Sequence, residues 1–122
     1  MSYRHSGRGG AVINISSASA RLGSPNEYVD YAASKGVVET FTIGFAKEVA
    51  RDGIRRNGIR PGHIYTEMHA SGGEPGRVDR VKDSIPMGRG GQPIEVARAI
   101  LWLASAEASF VIGTFLDVTG GK

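Results

Sequence analysis

Cysteine is absent from all 122 residues. Disulfides and thiolate metal sites are therefore excluded, as befits a reducing compartment. Long apolar runs are also missing, and none approaches the ~18 residues that a membrane-spanning helix needs. The first residues are rich in Arg, Gly and Ser and lack the apolar core of a secretory signal. These absences predict a soluble, cytoplasmic chain with no membrane partner. His5, His63 and His69 have no compact ligand spacing, so no metal site is expected. Charge of one sign is scarce in excess: 15 Lys and Arg oppose 12 Asp and Glu. Arg51, Arg55, Arg56 and Arg60 form the densest basic group. They make no stripe interleaved with stacking aromatics, so they read as strand-end and loop charges, with no nucleic-acid partner. No G-x-S-x-G elbow serves a hydrolase. Gly7-x-Gly9-Gly10 precedes a strand and lacks the third glycine of a dinucleotide fingerprint. Glu67, Glu74, Asp79 and Asp83 read as solvated loop and helix charges.

What remains is ordinary for a globular domain: 40% hydrophobic residues in a length that allows one domain at most. The glycines cluster at 7–10, 72–76, 88–91 and 120–121, as turns and loops. Ala11–Ser16 is apolar and β-branched, the pattern of a strand buried in a parallel sheet. Ser17–Glu27 reads as a loop. A helix follows over about Glu27–Arg51. Val37, Phe41, Phe45 and Val49 recur along it every four residues, beside a small-residue stripe of Ala32, Gly36, Thr40 and Gly44. One stripe is expected to cover the sheet and the other to face a partner. Gly53 stops this helix, and Ile54–Ile59 reads as the second strand. Arg60–Gly91 is a long lid-like segment with a short helix near Val78–Ser84. Pro93 opens the next helix. Its apolar face is built from Val96, Ile100 and Leu103 with Ala97, Leu101 and Ala104. Phe110–Gly113 turns the chain into a third strand, Thr114–Val118. Strand–helix–strand–loop–helix–strand implies right-handed crossovers and a parallel α/β sheet.

The chemistry concentrates at Tyr31-Ala32-Ala33-Ser34-Lys35. Tyrosine and lysine four apart on a helix share one face. A nearby ammonium favours the phenolate, so Tyr31 can exchange a proton with an alcohol or carbonyl near neutral pH. Ser17, fourteen residues upstream at a strand end, can hydrogen-bond the same oxygen. Such a site suits hydride transfer, in which a nicotinamide carries the hydride while a side chain handles the proton.

Asn14-Ile15-Ser16-Ser17, Tyr31-x-x-x-Lys35, Arg60-Pro61-Gly62-His63-Ile64-Tyr65-Thr66 and Asp117-Val118-Thr119-Gly120-Gly121 resemble motifs of the short-chain dehydrogenase/reductase family. The likeness runs from about Gly9 to Gly121 and covers the second half of that family's domain. It implies the C-terminal, catalytic half of a Rossmann-like doubly wound sheet, with three strands, two main helices and a lid segment. It also implies an NAD(P)-dependent oxidoreductase acting on a secondary alcohol or ketone. Tyr31 would be the general acid/base. Lys35 would lower its pKa and hold the nicotinamide ribose. Ser17, the second serine of its pair, would polarise the substrate oxygen. Pro61, Gly62, Ile64 and Thr66 would contact the nicotinamide and phosphates. Residues 65–73 suggest a sugar-dehydrogenase-like or 3-oxoacyl-reductase-like branch. Full-length members pair the long helix, and the last helix–strand unit, in homotetramers.

The resemblance also implies missing parts. The Gly-rich phosphate turn, the residue that selects NAD or NADP, and the catalytic asparagine belong upstream. Met1–Ser6 reads as the tail of a preceding helix. In the second strand, Arg56 is expected at an inward apolar position, where an unpaired charge is costly. Gly58 reads as a weak point beside it. The alternative to an enzyme is therefore a truncated, non-catalytic remnant or an interaction module.

Overall fold

In the computed structural model, which describes residues 9–23, 25–26, 29–65 and 76–122, β-branched Val12, Ile13 and Ile15 lie in strand β1, Gly10–Ile15. Helix α2, Val29–Val49, crosses to β2, Ile54–Pro61. Helix α3, Arg77–Val81, continues into a 3₁₀ turn, Lys82–Ser84. Helix α4, Pro93–Ala104, leads to β3, Phe115–Val118. The three strands are parallel in the order β1-β2-β3. This is the parallel α/β architecture expected. Residues 66–75, the middle part of the lid-like segment, lie outside the described residues.

One expected loop is a helix. α1 spans Ala18–Leu22, bounded by Ser17 and by Gly23 in the left-handed conformation, φ 80°. Its five residues are too few to show a periodicity, yet both ends carried the usual capping residues.

The stripe that faces the sheet also differs from expectation. α2 buries Ala32, Glu39, Thr42, Ala46 and Val49, while Val37 and Phe41 stay 71% and 62% exposed. The sheet beneath is polar where it meets the helix. Asn14 Nδ2 donates to Thr42 Oγ1 at 2.8 Å, and Glu39 meets Arg60. Hydrogen-bonded polar pairs thus displace the apolar stripe from the core face. On α4, Leu103 is buried but Leu101 and Ala104 are exposed, so its buried face is narrower than expected.

β2 is the central strand and holds the core. Ile54 and Ile59 are buried, and the Asn57 side chain is inaccessible. Asn57 donates to the Val111 carbonyl oxygen at 2.9 Å and accepts from the Thr114 amide at 3.2 Å, which shapes the turn into β3. Arg55 reaches the end of α4 and the 3₁₀ turn after it, Ala106–Ala108, donating to the carbonyl oxygens of Leu103 and Ala108 at 2.9 Å. Carbonyls at a helix C-terminus lack intrahelical partners, and a cation satisfies them well.

Arg56 does turn inward, but its guanidinium lies 4.4 Å over the Phe45 ring. Its Nε is buried without a hydrogen-bond partner among the described residues. The stacking offsets part of the desolvation. Gly58 is no weak point. A Cβ there would stand 2.0 Å from Phe115 Cε2, and the same ring lies 5.1 Å from the Arg60 guanidinium carbon. Glycine makes room for the Phe115 ring, which also lies against Arg60. Gly58→Ala should therefore destabilise the fold by about 1–3 kcal/mol of overpacking and lower the thermal midpoint. A rise in thermal midpoint would mean that only strand entropy matters at this position.

Candidate active site

Tyr31 lies in the first turn of α2, and Lys35 one turn later. Lys35 Nζ stands 5.5 Å from the centroid of the Tyr31 ring. Tyr31 is 46% exposed. The helical repeat places the two side chains together.

Ser17 follows β1 and caps α1. Its Oγ accepts from the Ser19 amide at 3.1 Å and shares a 2.7 Å bond with Ser19 Oγ. Either hydroxyl can donate in that bond, and when Ser19 donates, Ser17 keeps its own proton for another acceptor. Ser16, its neighbour, is buried and donates to Glu39 at 2.7 Å, so that hydroxyl is engaged elsewhere. α1 packs against α2, which sets the Ser17 turn beside the helix of Tyr31 and Lys35.

Pro61 ends β2. The Gly62 amide donates to the Val118 carbonyl oxygen at 3.0 Å, and a Cβ on Gly62 would come within 3.0 Å of Thr119 Cα. Ile64 is buried and bridges to Gly91. The bridge bonds run from the Gly91 amide to His63 O and from the Tyr65 amide to Gly91 O, at 2.9 and 2.8 Å. The loop is thus pinned on both sides of Ile64, while the amide of Ile64 itself stays outside the ladder. Thr66 lies outside the described residues. Tyr65 Oη donates to Asp79 at 2.9 Å, so Asp79 is a partner of this loop rather than only a solvated charge.

A small cleft of about 50 Å³ adjoins the loop, lined in part by His63, Ile64, Arg89, Glu95 and Thr119. Sequence reasoning assigned no role to Arg89 and Glu95. Their spacing on either side of Pro93 was the available signal. Arg89 grips Glu95 with two bonds of 2.9 and 3.0 Å, and Glu95 also accepts from the Gln92 amide. The Arg89 bond and that amide push the Glu95 carboxyl down to about 2.

A second set of charges joins β2, β3 and α1 to α2. Arg60 Nη2 and Nε donate to Glu39 Oε1 and Oε2, both at 2.8 Å. Arg60 Nη1 reaches Asp117 at 3.0 Å, and Arg21 approaches the other Asp117 oxygen at 3.3 Å. Burial alone would raise the Glu39 carboxyl, but the bonds from Arg60 and Ser16 hold it below its usual 4.5. A carboxylate with a lowered folded pKa contributes stability in full above its unfolded value, and loses it as pH falls through the folded value. Stability should therefore hold from neutrality to about pH 5 and decline in more acidic solution. Glu39→Gln should flatten part of that acid limb in thermal melts across pH. An unaltered limb would show that Glu39 contributes nothing to it.

Residues 2–122 match a family described as enoyl-(acyl carrier protein) reductase. The chain belongs to the short-chain dehydrogenase/reductases. Among members of the family, it is 65% identical over 122 residues to the uncharacterized oxidoreductase YgfF of Escherichia coli, covering 100% of this chain and 49% of that protein. It is 41% identical over 116 residues to a glucose and ribitol dehydrogenase homolog of Oryza sativa, covering 94% of this chain and 38% of the relative. The chain thus spans half or less of the length of these relatives. The crystal structure of 3-ketoacyl-(acyl-carrier-protein) reductase from Brucella melitensis complexed with NADH superposes with a TM-score of 0.84 at 33% identity. That match covers 97% of this chain and 46% of the other. Acetoin dehydrogenase YohF from Salmonella typhimurium superposes at 0.80 with 34% identity, over 97% of this chain and 44% of the other. Among the described residues no helix is long and apolar enough to cross a membrane, and no group of His, Cys, Asp and Glu could hold a metal ion.

Proposed function

We propose that this chain is the catalytic half of an NAD(P)-dependent oxidoreductase that moves a hydride between nicotinamide and a secondary alcohol or ketone. The observation that carries the reading is the Lys35 ammonium over the Tyr31 ring, on a helix turn open to solution. The donor set fits the ribose and nicotinamide end of the cofactor. Lys35 offers three N–H donors to ribose hydroxyls, and the Ile64 amide stands outside the ladder of its loop. Pro61, Gly62, Ile64 and Thr66 form the loop proposed to meet the nicotinamide. The nicotinamide, when bound, supplies or accepts the hydride. Tyr31 Oη gives its proton to the carbonyl oxygen in reduction and takes it back in oxidation. Ser17 Oγ donates to the same substrate oxygen and stabilises charge there.

The substrate is a small alcohol or carbonyl compound. Relatives named for glucose, ribitol and 3-ketoacyl chemistry support a polyol or 3-oxoacyl class. Exposed Val37 and Phe41 on α2, with Leu101 and Trp102 on α4, support a homotetramer of the full-length protein, to be read by sedimentation. A cytoplasmic location is proposed from the lack of cysteine.

The test uses the chain joined to the part of the E. coli oxidoreductase that it does not cover, the completed protein below. Oxidation of NADH or NADPH is followed by absorbance against sugars, polyols and 3-oxoacyl esters. Hydride transfer with one of these supports the reading. None with either nicotinamide, in a folded protein, overturns it.

A second reading, a non-catalytic remnant, is favoured by the edge of β1 that is open among the described residues. Cofactor titration of the 122 residues alone separates the two. Tight binding accompanied by hydride transfer would refute the remnant.

A further inference from the structure

Glu39 is a carboxylate on the buried face of a helix, where an apolar residue would serve packing at least as well. It stands at the third position of a stripe begun by Tyr31 and Lys35. At ~1.5 Å of rise per residue it lies ~12 Å along the axis from Tyr31, too far to touch the reacting atoms. Its partners are the residues that immediately precede two other parts of the site. Ser16, at the end of β1, donates to it at 2.7 Å, and the next residue is Ser17. Arg60, near the end of β2, grips both its oxygens at 2.8 Å, and the next residues are Pro61 and Gly62. Charge-assisted bonds with a two-pronged geometry are directional, whereas apolar contacts let a helix slide or turn on a sheet. The Arg60–Asp117 arm adds charge but touches neither α2 nor Ser16 in its own bond.

We propose that Glu39 is a positioning residue: held by Arg60 and Ser16, it fixes the register of α2 on the ends of β1 and β2. It thereby sets where Tyr31 and Lys35 stand relative to Ser17 and the Pro61-Gly62 loop. The inference rests on the hydride-transfer reading above. Proton transfer between groups on different elements is sensitive to displacements of an ångström or less. Loss of the grip should therefore reach the chemical step before it reaches cofactor affinity.

The experiment compares Glu39→Gln with Asp117→Asn in the completed protein, both assayed well below their unfolding midpoints. Each removes one carboxylate from Arg60, but only the first releases α2. Glu39→Gln should lower kcat by about tenfold or more while the cofactor Kd rises by a smaller factor. Asp117→Asn should leave kcat within about twofold. Arg60→Lys keeps the charge, loses the two-pronged grip, and should repeat the Glu39→Gln effect. The ring resonances of Tyr31, assigned by their loss in Tyr31→Phe, give a readout independent of turnover. They should shift in Glu39→Gln and not in Asp117→Asn. If both variants merely lower the midpoint, with kcat and Tyr31 resonances unchanged, Glu39 is only a structural ion-pair partner and the proposal is wrong. If the Tyr31 resonances shift as expected but the completed protein transfers no hydride, the positioning stands and the reaction reading fails.

Discussion

Tyr31→Phe in the completed protein should lose most of its turnover, about 10²–10⁴-fold in kcat, while binding the nicotinamide cofactor about as well as before. The substitution removes one oxygen and keeps the ring. The ring face toward Lys35, 5.5 Å away, is retained, so the ammonium keeps its place. Because Tyr31 is 46% exposed, little packing is lost and stability should change by a few tenths of a kcal/mol. Proton transfer to the substrate oxygen would then have to come from water or from Ser17. Stopped-flow turnover and fluorescence titration of NAD(P)H separate chemistry from binding. Undiminished turnover would mean that Tyr31 is not the acid/base and that the site has been placed wrongly.

The 122 residues alone should be poorly folded or should self-associate. Among the described residues β2 is paired on both sides, but β1 pairs with β2 along one edge only. Its sequence is that of a strand buried on both faces, yet no residue of β1 is fully buried, and Ile15 is 46% exposed. An open apolar edge is a template for another chain. Phe41, Leu101 and Phe110 add further exposed apolar surface. Against ~5–15 kcal/mol of net stability for a domain, the lost pairing and burial weigh more than any single interaction described above. Light scattering, with the amide resonance dispersion of any soluble fraction, tests this. A soluble monomer with dispersed resonances and one sharp thermal transition would contradict it. In that event Arg56→Val should raise the midpoint, since it removes a buried Nε that has no hydrogen-bond partner among the described residues.

Much of the fold was legible because local patterns and tertiary demands agree. The β-branched run before Ser17, the break at Gly53, Pro93 at a helix start and the strand before Gly120 each have one reasonable conformation. Failures fell where packing partners decide. α1 is too short to show a period. The core face of α2 could not be found from its apolar stripe, because its partners Asn14 and Arg60 are polar and lie 28 and 21 residues away from Thr42 and Glu39. Gly58 looked like a defect until the Phe115 ring, from another strand, was placed over it. Of the candidate site, the Tyr31–Lys35 pair was readable because a helix alone brings four-apart residues together.

The sequence by itself determined the order and type of the main elements, the absence of thiol chemistry, and the pairing of Tyr31 with Lys35. Each depends on composition or on spacing within one element. Only the tertiary structure decided which face of α2 is buried, that Ser16 is tied to Glu39 while Ser17 caps a helix, and that Arg60 joins β2 to Glu39 and Asp117. Those relations bring together residues far apart in the chain, and their energies depend on distance, burial and direction, which no local pattern specifies.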